Sequence, residues 1–305
     1  MRAISPGGIL ADLKIAWGNT LTTSAGSIST TALRPRIGPR EIAASFWRNR
    51  ALIAQMTKRE VVGRYKGSVL GLVWSFIFPL LMLGVYWFAF GYLLKVSPTG
   101  PVDTTTPVPY ALWIFTGLIM VQLFSETLNR APLLILQNAN YVKKVIFPLE
   151  VLPWVIVGAA LVHALMSVLV LLSFEIIVLH AVPWTALLLP VVLIPLMLFT
   201  LGFAWFLSSL GVYLRDVAHT IGVLTTVLMW TSCVFIPLSR MPPAVLNWIQ
   251  FNPLTWPIEA ARQLLLYGLL PSPAGLALYT ALSLLIAWLG FAWFQRTKRG
   301  FADVL

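Results

Sequence analysis

The chain is poor in nearly everything that aqueous chemistry uses. Charged residues make up only 10% of its 305 residues and hydrophobic ones 59%. Soluble domains average roughly 25% and 45–50%. The single cysteine, Cys233, excludes an intrachain disulfide and a cysteine-based metal site. It reads as a small apolar packing residue. The dipeptide Gly-Lys does not occur, so the chain has no P-loop to cradle a nucleotide phosphate. There is no His-Glu-x-x-His, and His163, His180 and His219 lie far apart. Acids are scattered: Asp103, Glu126, Glu150, Glu175 and Asp216 form no pair in sequence. A membrane-embedded enzyme would usually gather a carboxylate pair or basic cluster at its active site. Only His163 is ionisable near the middle of an apolar run. It reads as a hydrogen-bonded packing residue or as part of a proton relay. Ion-coupled carriers need such groups near the bilayer midplane, so an energy source outside the chain is the simpler expectation.

What the chain has in plenty is long apolar runs, and a run of about 18 or more such residues reads as a membrane span. The spacing predicts an all-α integral membrane protein with six transmembrane helices, at about 68–94, 109–129, 151–179, 184–212, 218–237 and 274–294. Between the last two, Pro242, Pro243, Pro253 and Pro257 break up two helical pieces, Ala244–Phe251 and Ile258–Tyr267. Both are too short to span and read as re-entrant or interfacial. Residues 41–66 mix Phe46, Trp47, Ile53 and Met56 with six Lys and Arg. That pattern fits a basic amphipathic helix at the membrane surface, or a solvated basic face before the first span. Residues 1–40 carry a Ser/Thr/Gly-rich stretch and Pro35 and Pro39. They are expected to be a flexible tail, with no apolar core of a cleaved signal peptide. Residues 41–305 then form one transmembrane domain.

The net charge of +11 lies beside the spans rather than on a nucleic-acid face. With the N-terminus in the cytoplasm, 18 of the 21 Lys and Arg fall in cytoplasmic segments, leaving Lys95, Arg240 and Arg262 outside. Both termini are therefore expected to be cytoplasmic. Glu126 and Arg130, four apart, suit a helical ion pair. The first span carries a dense set of rings, among them Trp74, Tyr86, Trp87, Phe88 and Tyr92. They fit an aromatic belt, or a surface on which sugar faces slide. Lys143, Lys144, Arg215 and Asp216 sit on short cytoplasmic connections and read as positive-inside flanking or as docking points for a partner.

Six stretches resemble the permease subunits of type-2 ABC exporters of bacterial cell-surface polysaccharide. They are Lys58–Gly71 with Trp74 and Pro79 after it, Asn138–Glu150, Tyr213–Val217, Asn252–Thr255, Glu259–Gln263 and Gly300–Leu305. Together they cover residues 45–305 in the family's order. The resemblance implies a homodimer in the bacterial inner membrane, with two copies of a separate ABC ATPase that bind the ATP and Mg. It implies a coupling segment from Asn140 through Tyr141, Val142, Lys143 and Lys144 to Phe147, and a second cytoplasmic contact at Arg215-Asp216. An outer gate would use Trp248, Asn252, Glu259 and Arg262. Spans one and five would line the path, adding Trp230 to the first-span rings. The implied substrate is a polymer on an undecaprenyl-diphosphate-type lipid. Lys58, Arg59, Arg64 and Lys66 could meet its diphosphate or anionic membrane lipids. O-antigen is the first expectation for the glycan. Capsule, teichoic acid and small-molecule export are the alternatives.

Overall fold

A computed structural model describes residues 38–96, 108–142 and 147–305. Almost all of the expected tail, and with it Asp103, Lys143 and Lys144, lies outside the described residues. Every described element is helical. The first, α1 (Pro39–Arg64), opens with proline where a helix has no use for an N–H. It buries Ile53, Met56 and Val61 and packs along α6 (Val151–Leu179), where Phe46 meets Trp154 at a ring distance of 4.7 Å. The basic residues of α1 remain exposed, as the amphipathic reading expects.

Among the described residues, five helical stretches are long and apolar enough to cross a membrane: Gly71–Leu93, Tyr110–Gln137, Val151–Leu179, Trp184–Tyr213 and Pro273–Gly300. The first contains α2 (Trp74–Tyr86) and ends in a π-helical stretch, Trp87–Leu93. The second contains α3 (Tyr110–Arg130) and α4 (Leu134–Gln137), and a short α5 (Ala139–Val142) follows it. The fourth contains α7 (Leu189–Tyr213). Helix α3 is the hub: 83% of its most apolar stretch is buried, against 17% for the first span. Mid-bundle residues of α3 are apolar on every side, as expected of a helix enclosed by neighbours.

The fifth expected span, at about 218–237, is shorter than its apolar run. Helix α8 (Val217–Trp230) has 14 residues, about 21 Å at 1.5 Å each, against a hydrocarbon core of about 30 Å. Local polar groups end it early. The hydroxyls of Thr231 and Ser232 donate to the carbonyls of Val227 and Met229, at 2.8 and 2.6 Å. Such bonds compete with the helical ladder. Asn252 then donates to the Leu228 carbonyl at 2.8 Å. The chain turns back through α9 (Pro243–Gln250) and α10 (Thr255–Arg262), both short as expected.

Helix α11 (Pro273–Thr297) closes the bundle against α7. Their crossing is made at Gly202 and Gly290, where a Cβ on Gly290 would collide with the Gly202 carbonyl. Small residues at such crossings let backbones touch. The terminal α12 (Phe301–Val304) tucks Phe301 against Phe294, 5.6 Å between rings. The bundle therefore has an α1 end, holding α1, α5, Arg130 and α12, and an opposite end holding α9 and α10.

Candidate functional site

Between the C-terminal end of α1 and the helices α2, α3 and α6 lies a cavity of about 590 Å³. That size is ordinary for a ligand site. Its walls are largely apolar and aromatic: Trp74, Phe78, Tyr86 and Phe115, with Met82, Leu118 and Ile119. Pro79 also lines it and, inside α2, has no N–H for the Ser75 carbonyl. The charged pair Arg64 and Glu126 stands at the α1 end, and Tyr65, Ser75, Gln122, His163 and Ser167 complete the lining.

Glu126 organises that end. Its side chain is buried, and an ionised carboxylate can only accept hydrogen bonds. Arg64 Nη2 donates to it at 2.8 Å, and His163 Nδ1 lies 3.0 and 3.1 Å from its two oxygens. Arg64 Nη1 stands 3.0 Å from the same ring nitrogen. Arg130, one helical turn beyond Glu126, lies 3.8 Å away and also pairs with Glu60 of α1. Two arginines thus face two carboxylates, and the cluster ties α1 to both α3 and α6. Charges beside apolar spans persist when paired this way.

The residues singled out in the sequence are divided by the structure. Of the six aromatic candidates, Trp74 and Tyr86 line the cavity. The other four do not. Trp87 packs on Phe174 at 6.4 Å, Phe88 stacks with Tyr92 at 5.8 Å, and Trp230 stacks on Phe235 at 4.6 Å. Of the four cations on and after α1, Arg64 is held by Glu126, and Arg59 Nη2 donates to the Tyr141 hydroxyl at 3.0 Å. Lys58 and Lys66 are exposed. Tyr141, between Asn140 and Val142 on α5, stacks on Phe147 at 4.4 Å. Arg215 and Asp216 are exposed in the turn between α7 and α8 and form no ion pair among the described residues.

At the opposite end, Arg262 is fully buried. It donates to the carbonyls of Trp113 (3.2 Å), Cys233 (2.9 Å) and Val234 (3.1 Å), and to Glu259 at 2.7 Å. Its guanidinium carbon lies 3.3 Å from the centre of the Trp113 ring. Gly117 makes room for it, since a Cβ there would sit 2.8 Å from Nη2. The unwound stretch after α8 thus supplies two of the carbonyls that Arg262 takes. Asn252 is buried and fastened to Leu228 and Thr231, whereas Trp248 is 80% exposed.

Sequence spacing marks the Glu126–Arg130 pair but gives no sign of Arg64, Glu60 or His163 as its partners. The signal that finds them is energetic: Arg64, Glu126 and His163 all lie in or beside apolar spans and need a counter-charge or hydrogen bond. The long polymer path expected from spans one and five takes in only α2 at this cavity.

Comparison with known proteins gives a consistent result. The family described as ABC-2 type transporter matches residues 51–266. An O-antigen export system permease protein RfbA of Klebsiella pneumoniae is 29% identical over 258 residues, covering 83% of this chain and 95% of the relative. The protein of the same name from Myxococcus xanthus is 24% identical over 265 residues, 86% of this chain and 98% of the relative. The polysialic acid transport protein KpsM of Escherichia coli is 23% identical over 248 residues, 78% of this chain and 90% of the relative.

Proposed function

Because the chain belongs to the ABC-2 type transporter family, we propose that it is the permease subunit of an ATP-driven exporter of cell-surface polysaccharide, with O-antigen as the cargo. It is a transporter subunit and not an enzyme. Three relatives named as O-antigen permeases, matched over nearly their whole length, favour that cargo over capsule. The observation that carries the reading is the cavity. It offers a ring-walled passage with charged groups only at the α1 end. Aromatic faces hold a sugar's C–H face without many directional bonds, so a polymer can advance past them.

The finer assignments belong to the same proposal. The working unit is a homodimer with two copies of a cytoplasmic ABC ATPase, which binds the ATP and Mg. The cytoplasmic face is the α1 end, and the placement of basic residues supports this: α1, Arg130, Arg215, Arg296, Lys298 and Arg299 lie at that end. Short-loop Lys and Arg favour the cytoplasm, in the inner membrane of a bacterium. The segment from Asn140 to Lys144 takes the push of the ATPase. The Arg59–Tyr141 hydrogen bond hands that push to α1, and the Glu126 cluster passes it to the cavity. The cargo is an undecaprenyl-diphosphate-linked glycan. Lys58 and Lys66, exposed on and just after α1, meet its diphosphate, since Arg59 and Arg64 are already engaged. Asn252 and the Arg262–Glu259 pair hold the outer helices in place, and Trp248 is left to act at the outer mouth.

Replacing Trp74 and Tyr86 together by alanine tests the cavity. Surface O-antigen, measured by immunoblot, is expected to fall by about tenfold or more, from roughly 0.5–1.5 kcal/mol of stacking lost per ring. The permease level in the membrane should stay near that of the parent. The same substitutions at Phe88 and Tyr92, outside the cavity, should lower export much less. Equal losses from both pairs would return all four rings to lipid contact and packing.

A further inference from the structure

A second hollow, of about 390 Å³, lies on the other flank of the bundle between α7 and α11. Gly202 and Gly290 form its floor, because their close crossing leaves no side chains there. Phe206 and Trp293, 5.6 Å apart, are part of its walls, and both are partly exposed. At the α1 end it finishes at Arg296, which is exposed and has no ion pair among the described residues.

The dimensions of the groove suit one kind of occupant. Its α11 side runs from Ile286 to Arg296. Ten residues of helix make about 15 Å, which is half of a hydrocarbon core of about 30 Å. An apolar slot one leaflet deep, with a cation where headgroups begin, matches a phospholipid in both length and charge. Water would find few hydrogen-bonding partners among rings and aliphatic side chains. The cation also selects the headgroup, because basic sites at the ends of spans attract anionic lipids.

We propose that the α7–α11 groove holds an acyl chain of a phospholipid from the leaflet at the α1 end, and that Arg296 binds its anionic headgroup. One cation near the surface gives about a fivefold preference for an anionic over a zwitterionic lipid. This site is separate from the cavity and does not depend on what the transporter carries.

Brominated acyl chains quench tryptophan on contact, and the contribution of Trp293 is the difference between the parent protein and Trp293→Phe. The purified permease would be placed in nanodiscs carrying a minor fraction of brominated phosphatidylglycerol or brominated phosphatidylcholine. Trp293 should be quenched at about fivefold lower mole fraction of the anionic lipid. Arg296→Gln, at an exposed position, should remove that preference and leave quenching by phosphatidylcholine unchanged. Equal potency of the two lipids in the parent, or a preference that survives Arg296→Gln, would overturn the proposal. So would a Trp293 signal that neither lipid quenches, which would mean that protein, a second copy for example, covers the groove.

Discussion

Export of O-antigen is expected to fall by about tenfold or more in the Glu126→Ala protein. The buried carboxylate is the only acidic group among the described residues that meets Arg64 and His163, and it shares Arg130 with Glu60. Removing it leaves Arg64 and His163 without an acidic partner beside the cavity, while Arg130 keeps Glu60. Taking one partner from a fully buried pair costs about 3–5 kcal/mol. Arg64 is 42% exposed and Arg130 30%, so water repays part of that, and the cost to folding should be nearer 1–3 kcal/mol. The protein should still reach the membrane, with Arg64 released from α3 and α6 while Glu60–Arg130 and the packing of α1 on α6 remain. Glu126→Gln retains a hydrogen-bond acceptor without the charge and should recover part of the export. Export and membrane level are both read by immunoblot. Parental export from Glu126→Ala would remove the cluster from the transmission path.

The second large effect is expected at Arg262. Alanine there leaves the carbonyls of Trp113, Cys233 and Val234 buried without their donor, at about 1–3 kcal/mol each. It also opens a cavity under the Trp113 ring. The sum approaches the whole stability of many domains. Arg262→Ala should therefore accumulate in the membrane at less than about a tenth of the parental level. Lysine keeps the charge but cannot reach several acceptors with one fork, so Arg262→Lys should recover only a small part. Membrane level and the thermal unfolding midpoint in detergent report this directly. A parental midpoint for Arg262→Ala would mean that the outer helices are held by other contacts.

Legibility in the sequence follows the range of the interactions. Apolar runs are local, so the runs behind α2, α3, α6, α7 and α11 could be read directly, and so could the amphipathic character of α1. The early end of α8 could not. Beside the local hydroxyls of Thr231 and Ser232, it depends on Arg262 and Asn252, which arrive from 24 to 29 residues further on and take up carbonyls of the unwinding chain. Hydrophobicity does not register that competition. The candidate site divides in the same way. The pairing of Glu126 with Arg130 is a matter of helical pitch and is visible in the sequence. The approach of Arg64, 99 residues before His163, and of Glu60, 70 residues before Arg130, is a product of helix packing. Five of the six aromatic candidates share one apolar run. Trp74 and Tyr86 of α2 line the cavity, whereas Phe88 and Tyr92 fall in the π-helical stretch beyond α2 and stack on each other, a division set by helix packing.

The central claim is that this chain is a conduit without a motor, moved by ATP hydrolysed on another polypeptide. The most direct measurement is surface O-antigen in cells that make this permease together with a partner ATPase able to bind ATP but not to hydrolyse it. The account expects the polymer to be absent from the surface and to build up inside the inner membrane, with the permease present at its normal level. Unchanged surface O-antigen in those cells would contradict it.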